Sequence, residues 1–199
     1  MRTVMLLFLG LTTLSLFSQP NRKPKMAAVF APGYYINLKN DTVKCQIQIN
    51  PEDPTEFYRQ FAFIAGKTKR PKVMKVAQIR AYGFDGRDFV RINDGSQKLY
   101  AERLTMGRLR FYEYQHNGKI NGYPAIESEY FIRDTFAEGE KSALGEPAKV
   151  SHKFYKKALK PYFQDQPMLW SDLDKYDFNK DKVVQTINEF NQFYAARGN

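Results

Sequence analysis

The chain has 199 residues, with 31 lysines and arginines against 21 acids, and a formal charge of +10. A single cysteine excludes an internal disulfide, and two scattered histidines beside it exclude the spaced ligand sets of a structural zinc site. The length suits one domain with at most a small appendage, enough to bury a core without covalent staples.

In chain order, residues 1–18 read as a cleavable secretory signal peptide. Arg2 supplies the positive start, residues 4–16 the apolar stretch, interrupted by Gly10, Thr12, Thr13 and Ser15, and Ser18 the small residue before Gln19. A permanent span needs about 20 apolar residues. Gln19-Pro20-Asn21-Arg22-Lys23 follows too soon, so no transmembrane span is expected after cleavage. Lipid attachment at the cut is excluded because the only cysteine is Cys45. Cleavage removes Arg2 and no acid, taking the charge from +10 to +9. The expected location is the periplasm, the outer-membrane periphery or the exterior. A basic surface points to acidic partners, and export argues against nucleic acid. That leaves an envelope protein or an anionic surface component such as lipopolysaccharide or glycan, or a solvated face with no partner.

Residues 19–33 carry Pro20, Pro24 and Pro32 among basic residues, which resists both helix and ladder and reads as a flexible tether. Residues 34–137 read as an antiparallel β domain. Tyr34, Ile36 and Leu38 alternate on one face, Asn40-Asp41 turns, and Val43, Cys45, Ile47 and Ile49 share the next face, which makes a hairpin. Phe57, Phe61 and Phe63 share a parity, residues 73–82 are rich in β-formers, and Asp85-Gly86 and Asp94-Gly95 turn between further strands. Residues 104–114 form another run, Asn117-Gly118 is a turn signal, and residues 129–132 are a last strand. Turns this frequent predict an antiparallel meander, either a curled sheet or an open barrel. Residues 138–150, with Gly139, Gly145 and Pro147, read as a linker.

Residues 151–199 then take a helical period and predict two to three helices packed on the β domain. Ser151 is placed to cap a stripe of Phe154, Tyr155, Ala158, Leu159 and Tyr162, which Pro161 interrupts. Asp165 and Pro167 mark a new start, followed by Leu169, Leu173 and Tyr176. A last helix over residues 180–195 has Asn179 as cap and Val183, Ile187, Phe190 and Tyr194 as its apolar stripe. The expected class is therefore α+β.

Four of these segments in order carry a family resemblance. They are the hairpin of residues 33–49, the run Leu104-x-x-Gly107-x-Leu109-x-Phe111-Tyr112-Glu113-Tyr114, the strand Glu129-Tyr130-Phe131-Ile132, and the tail over residues 154–194. Together they resemble an uncharacterised family of exported envelope proteins common in the Bacteroidota. The tail has Asn191-Gln192-Phe193-Tyr194 where that family has a tyrosine-asparagine pair. The resemblance implies a compartment and an architecture and brings no activity with it.

Catalysis finds little support. Cys45 falls on the apolar parity of its strand and reads as a core thiol; His116, beside the expected Asn117-Gly118 turn, and His152, at a helix start, read as surface residues. Asp177-x-Asn179-x-Asp181 resembles the start of a calcium loop, but Lys182 and Asn188 hold the places that need glycine and glutamate. Glu113, Glu127 and Glu129 lie on neighbouring strands among Arg108, Arg110 and Arg133, where cross-strand salt bridges are expected before a glycosidase pair. No catalytic residue, metal or cofactor is expected.

The most suggestive surface combines Arg108, Arg110, Tyr112 and Tyr114 on one strand face, with Leu109 and Phe111 on the other. Such a face would hold a sugar, a lipid headgroup or a protein segment, unless its tyrosines pack under the C-terminal helices. The expected function is that of a non-catalytic envelope protein that binds. A barrel-like carrier of an apolar or lipidic ligand and a hydrolase of acidic glycan are the alternatives.

Overall fold

The computed structural model describes residues 28–66, 70–136 and 147–197. The signal peptide, most of the tether and residues 138–146 of the linker lie outside the described residues. Ten strands form one antiparallel sheet: β1 Val29–Asn37, β2 Thr42–Ile49, β3 Gln60–Ile64, β4 Lys72–Lys75, β5 Ile79–Phe84, β6 Arg87–Asn93, β7 Lys98–Arg103, β8 Leu109–Ile120, β9 Tyr123–Asp134 and β10 Ala148–Val150. Their order is β10-β9-β8-β7-β6-β5-β1-β2-β3-β4, and the two end strands are not joined, so the sheet is open. Helices α1 Tyr155–Leu159, α2 Pro167–Asp174 and α3 Lys180–Ala195 follow it. The α+β class and the antiparallel meander with a helical tail are as expected.

Two boundaries differ from the sequence expectation. Strand β1 begins at Val29, inside the segment expected to be a tether. Pro32 is accommodated because pairing with β5 starts only at Gly33, so the first part of β1 is bonded to β2 alone and needs no second ladder. Strand β10 lies inside the expected linker and pairs with residues 130–132 of β9.

The expected turn at Asn117-Gly118 is corrected outright. Both residues lie within β8, opposite Ile126 and Ala125, and the hairpin turns at Asn121 and Gly122, with φ of 53° and 84°. Both Asn-Gly pairs have the chemistry of a tight β-turn. The second wins because it sets Phe111 opposite Ile132 and keeps the ladder unbroken from Leu109↔Asp134 to Ile120↔Tyr123. A turn at the first pair would set Phe111 opposite Pro124 and carry the apolar residues of β9 past the start of β8. His116 accordingly sits in mid-strand, opposite Glu127.

The sheet buries two aromatic-rich clusters. In the first, Ile47, Phe61, Phe63, Tyr82, Phe84, Phe89 and Tyr100 enclose Phe57 and Tyr58 from the 3-10 turn Pro54–Tyr58. Phe61 and Tyr82 stack at 4.0 Å between centroids, and Tyr82 and Phe89 at 4.8 Å. In the second, Leu109, Phe111 and Ile132 of the sheet meet Leu159, Phe163, Leu173, Val183, Ile187 and Phe190 of the helical tail. Helix α3 starts as expected, with the Asn179 side chain accepting from the Lys182 N–H at 3.0 Å. Three details of the tail differ. Phe154 is exposed because it precedes α1, Gln166 takes the cap position expected of Asp165, and Ser151 makes no capping bond.

Candidate functional site

Residues directly opposite in a ladder lie on the same face of a sheet. One such row crosses six strands on the face turned away from the helices. Tyr34 of β1 lies opposite Gly83 of β5, Gly83 opposite Asp88 of β6, Arg103 of β7 opposite Tyr112 of β8, and Tyr112 opposite Phe131 of β9. An Arg103–Asp88 ion pair joins the two halves. Gly83 is required here, since a Cβ would lie 2.8 Å from the Tyr34 ring. That ring lies over β5 and its hydroxyl donates to Asp88 Oδ1 at 2.8 Å. Burial, and then the Asp88 carboxylate, push the Tyr34 hydroxyl up to about 12.

Arg110 and Arg133, directly opposite one another on β8 and β9, flank this row. Tyr112 is buried with Ile92, Leu99, Ala101 and Phe131. Burial raises its hydroxyl pKa, while the guanidinium groups of Arg110, Arg133 and Arg103 pull it the other way. Three arginines therefore surround one buried tyrosine. The Nε atoms of Arg103 and Arg110 are themselves buried and have no hydrogen-bond partner among the described residues. An open cleft of about 540 Å³ lies against the row, lined by Tyr34, Asp88, Arg103, Leu104 and Met106 among others.

Of the four residues singled out from the sequence, Arg110 and Tyr112 belong to this group. Tyr114 shares their strand parity but packs edge-on to Tyr58, with centroids 5.8 Å apart. Arg108 does not share their face. It precedes β8, where strand alternation does not apply, and its guanidinium bonds Asp134 at 3.1 Å and lies 4.4 Å from the Tyr194 ring on the helix side. Nor do the tyrosines pack under the helices, since Tyr112 faces the opposite cluster. Arg103, Asp88 and Tyr34 were missed. The alternation Leu99, Ala101, Arg103 carries the signal for Arg103, but reading residues 104–114 as one strand hid how β7 meets β8.

The expected salt bridges of Glu113 with neighbouring arginines are absent among the described contacts. Glu113 is buried, and its carboxylate accepts from Ser128 at 2.8 Å, Gln115 at 3.1 Å, Tyr130 at 3.2 Å and Lys180 of α3 at 3.3 Å. Burial raises its pKa, but the bonds from Gln115 and Ser128 and the Lys180 ammonium outweigh that, so the carboxyl titrates below its ordinary range. Glu102 lies directly opposite it on β7 but is held by Arg87 at 2.6 Å. Each carboxylate of this pair thus has its own cation. Glu129 is bridged by Lys149 at 2.8 Å, and Glu127 accepts from the Lys119 N–H at 2.8 Å.

Cys45 is buried, and desolvation pushes its thiol up to about 11. His152 stacks on Phe178 at 4.5 Å, while His116 lies 3.9 Å from Glu129. Asn179, in the segment that resembles the start of a calcium loop, is committed to capping α3. Among the described residues no three His, Cys, Asp or Glu side chains gather where they would hold a metal ion, and no helix is long and apolar enough to cross a membrane.

Comparison of the chain with protein-family models, with curated proteins and with solved structures finds no match.

Proposed function

We propose that this chain is an exported protein of the cell envelope, at home in the periplasm or at the outer-membrane periphery, that works by binding and not by catalysis. Its partner is an anionic envelope component or a protein presenting acidic groups. The observation that carries this is the row on the outer face of the sheet, where Arg103, Arg110 and Arg133 surround Tyr112 and Arg103 also lines an open cleft. Arginine is suited to this because its planar fork meets carboxylate, sulfate or phosphate oxygens in pairs. The sequence features of residues 1–18 and the likeness to an exported Bacteroidota family support the compartment.

The carrier alternative draws no support from the phenylalanines that would have to line a guest cavity. Phe61, Phe84 and Phe89 pack against Tyr82 within the core. The hydrolase alternative would need two carboxylates converging in an open cleft, and Glu102 and Glu113 are each held by a cation on the other face of the sheet. Crosslinking in the native cell, followed by identification of what the protein retains, tests the proposal. Retention of an anionic envelope component or an acidic partner is expected, and a protein that crosslinks to nothing in the envelope overturns it.

A further inference from the structure

The start of the helical tail turns its positive charge outward. From Ser151 to Gln164 the chain holds His152, Lys153, Lys156, Lys157 and Lys160 and no acid. Tyr155, Leu159 and Phe163 of this stretch are buried in the second cluster, whereas His152, Lys153, Phe154, Lys157 and Lys160 are all exposed. Lys156 is held by Asp174 at 3.6 Å. Lys153, Lys157 and Lys160 make no ion pair among the described residues.

An open cleft of about 620 Å³ is lined by residues 152–157 and by Asp177 and Phe178, so that one acid faces Lys153, Lys156 and Lys157. Its aromatic wall is fixed, since Phe178 stacks on His152 at 4.5 Å and packs edge-on to Tyr155 at 5.4 Å. Phe154 stays outside that packing. It is 58% exposed, and the group over its ring is the Lys153 ammonium at 5.3 Å. A phenyl ring in water among unpaired lysines is answered by a partner that is negative at its surface and apolar just beneath. A bilayer with anionic headgroups has that order of layers. Lysine suits it, because a flexible, strongly hydrated ammonium answers spread charge without a fixed acceptor geometry. A small soluble anion would need directed donors, and the lysine that is held in place, Lys156, already serves Asp174. An acidic polypeptide answers the lysines but offers the ring nothing by virtue of its charge.

We infer that the outer side of residues 152–160 docks on an anionic lipid surface, with Lys153, Lys157 and Lys160 among the headgroups and Phe154 at the boundary with the acyl chains. This side belongs to the helix face of the sheet, opposite the arginine row, so the inference does not rest on that row. It goes beyond the proposed function by giving the tail a partner of its own.

The test is sedimentation of the mature chain with vesicles of phosphatidylglycerol mixed with phosphatidylcholine, and with vesicles of phosphatidylcholine alone. Binding to the anionic vesicles is expected, falling as salt is raised. Each lysine near the surface is worth about fivefold, so Lys153→Gln, Lys157→Gln and Lys160→Gln together weaken binding on the order of a hundredfold. Phe154→Ala weakens it by about threefold or more through lost apolar burial. All four side chains are exposed, so the melting temperature of these variants without vesicles is expected to stay that of the wild type, which separates lost docking from lost folding. The control removes the same charge elsewhere, with Lys39→Gln, Lys44→Gln and Lys98→Gln at exposed positions of the sheet and its first turn, and is expected to bind within about threefold of the wild type. An equal loss in that control would make the binding a matter of net charge and overturn the inference. Absence of sedimentation, or equal sedimentation with the neutral vesicles, overturns it too. Lysine-dependent binding of soluble polyglutamate without vesicle binding gives the surface to an acidic polypeptide instead. A chain that crosslinks an envelope partner yet sediments with no vesicle refutes this inference alone, whereas one that docks on anionic vesicles but crosslinks nothing in the cell refutes the broader proposal alone.

Discussion

At the scale of single residues, Glu113 ties the sheet to the tail. Its carboxylate collects donors from both β8 and β9 and the ammonium of Lys180 at the start of α3. Its folded pKa lies below that of the unfolded chain, where a glutamate titrates near about 4.3. The group therefore contributes stability that is present above that value and lost as pH falls through the lower, folded pKa. Urea melts between pH 7 and pH 3 should show this acid loss in the wild type and a shallower one in Glu113→Gln. Equal slopes in the two proteins would show that Glu113 is not the titrating group. Cys45 shows the opposite sign of the same physics. With no donor to offset its desolvation, its thiol is held in the neutral form.

The element that decides how the tail docks is α3. Val183, Ile187 and Phe190 are wholly buried against the sheet, and helices of this length are marginal without such contact. Phe190→Ala is expected to cost about 3–5 kcal/mol, as for a large aromatic removed from a core, read as a fall in the denaturation midpoint. An unmoved midpoint together with lost partner capture would make the stripe a recognition surface. Asn191, one residue on, carries a different part of the docking. Its side chain accepts from the Leu109 N–H and donates to the carbonyls of Met106 and Leu109, each at 2.8 Å. Gly107 makes room for it, with φ of 121° and a would-be Cβ only 2.8 Å from the Asn191 side chain. Asn191→Ala strands a buried N–H and should cost about 1–3 kcal/mol, again measured by denaturation. A loss well under 0.5 kcal/mol, the range about expected of a surface change, would show that water replaces the amide. The spaced Leu104, Gly107, Leu109 and Phe111 run is thus explained by packing, since its glycine receives the tail.

At the scale of the molecule, the open sheet uses both faces. One carries the two aromatic clusters and the helices, and the other carries the arginine row. Export belongs to this scale as well. Mass determination of the protein from its own cell should give a chain that starts at or near Gln19, and an intact Met1 on a cytosolic protein would overturn that proposal.

The sequence by itself determined the class of each half. Period-two alternation and frequent turn residues specify a meander, and the stripe Val183, Ile187, Phe190 with its Asn179 cap specifies α3, because both are set by local backbone geometry and by which face must leave water. Cys45 was legible for the same reason. The hairpin register was not, because Asn117-Gly118 and Asn121-Gly122 are equally good turns locally and only the match of Phe111 to Ile132 across the ladder separates them. The candidate site was half legible. Arg110 and Tyr112 lie on one strand and share its parity, whereas Arg103, Asp88 and Tyr34 come from three other strands. Their meeting depends on which strands are neighbours and in what register, a long-range property that no local pattern encodes.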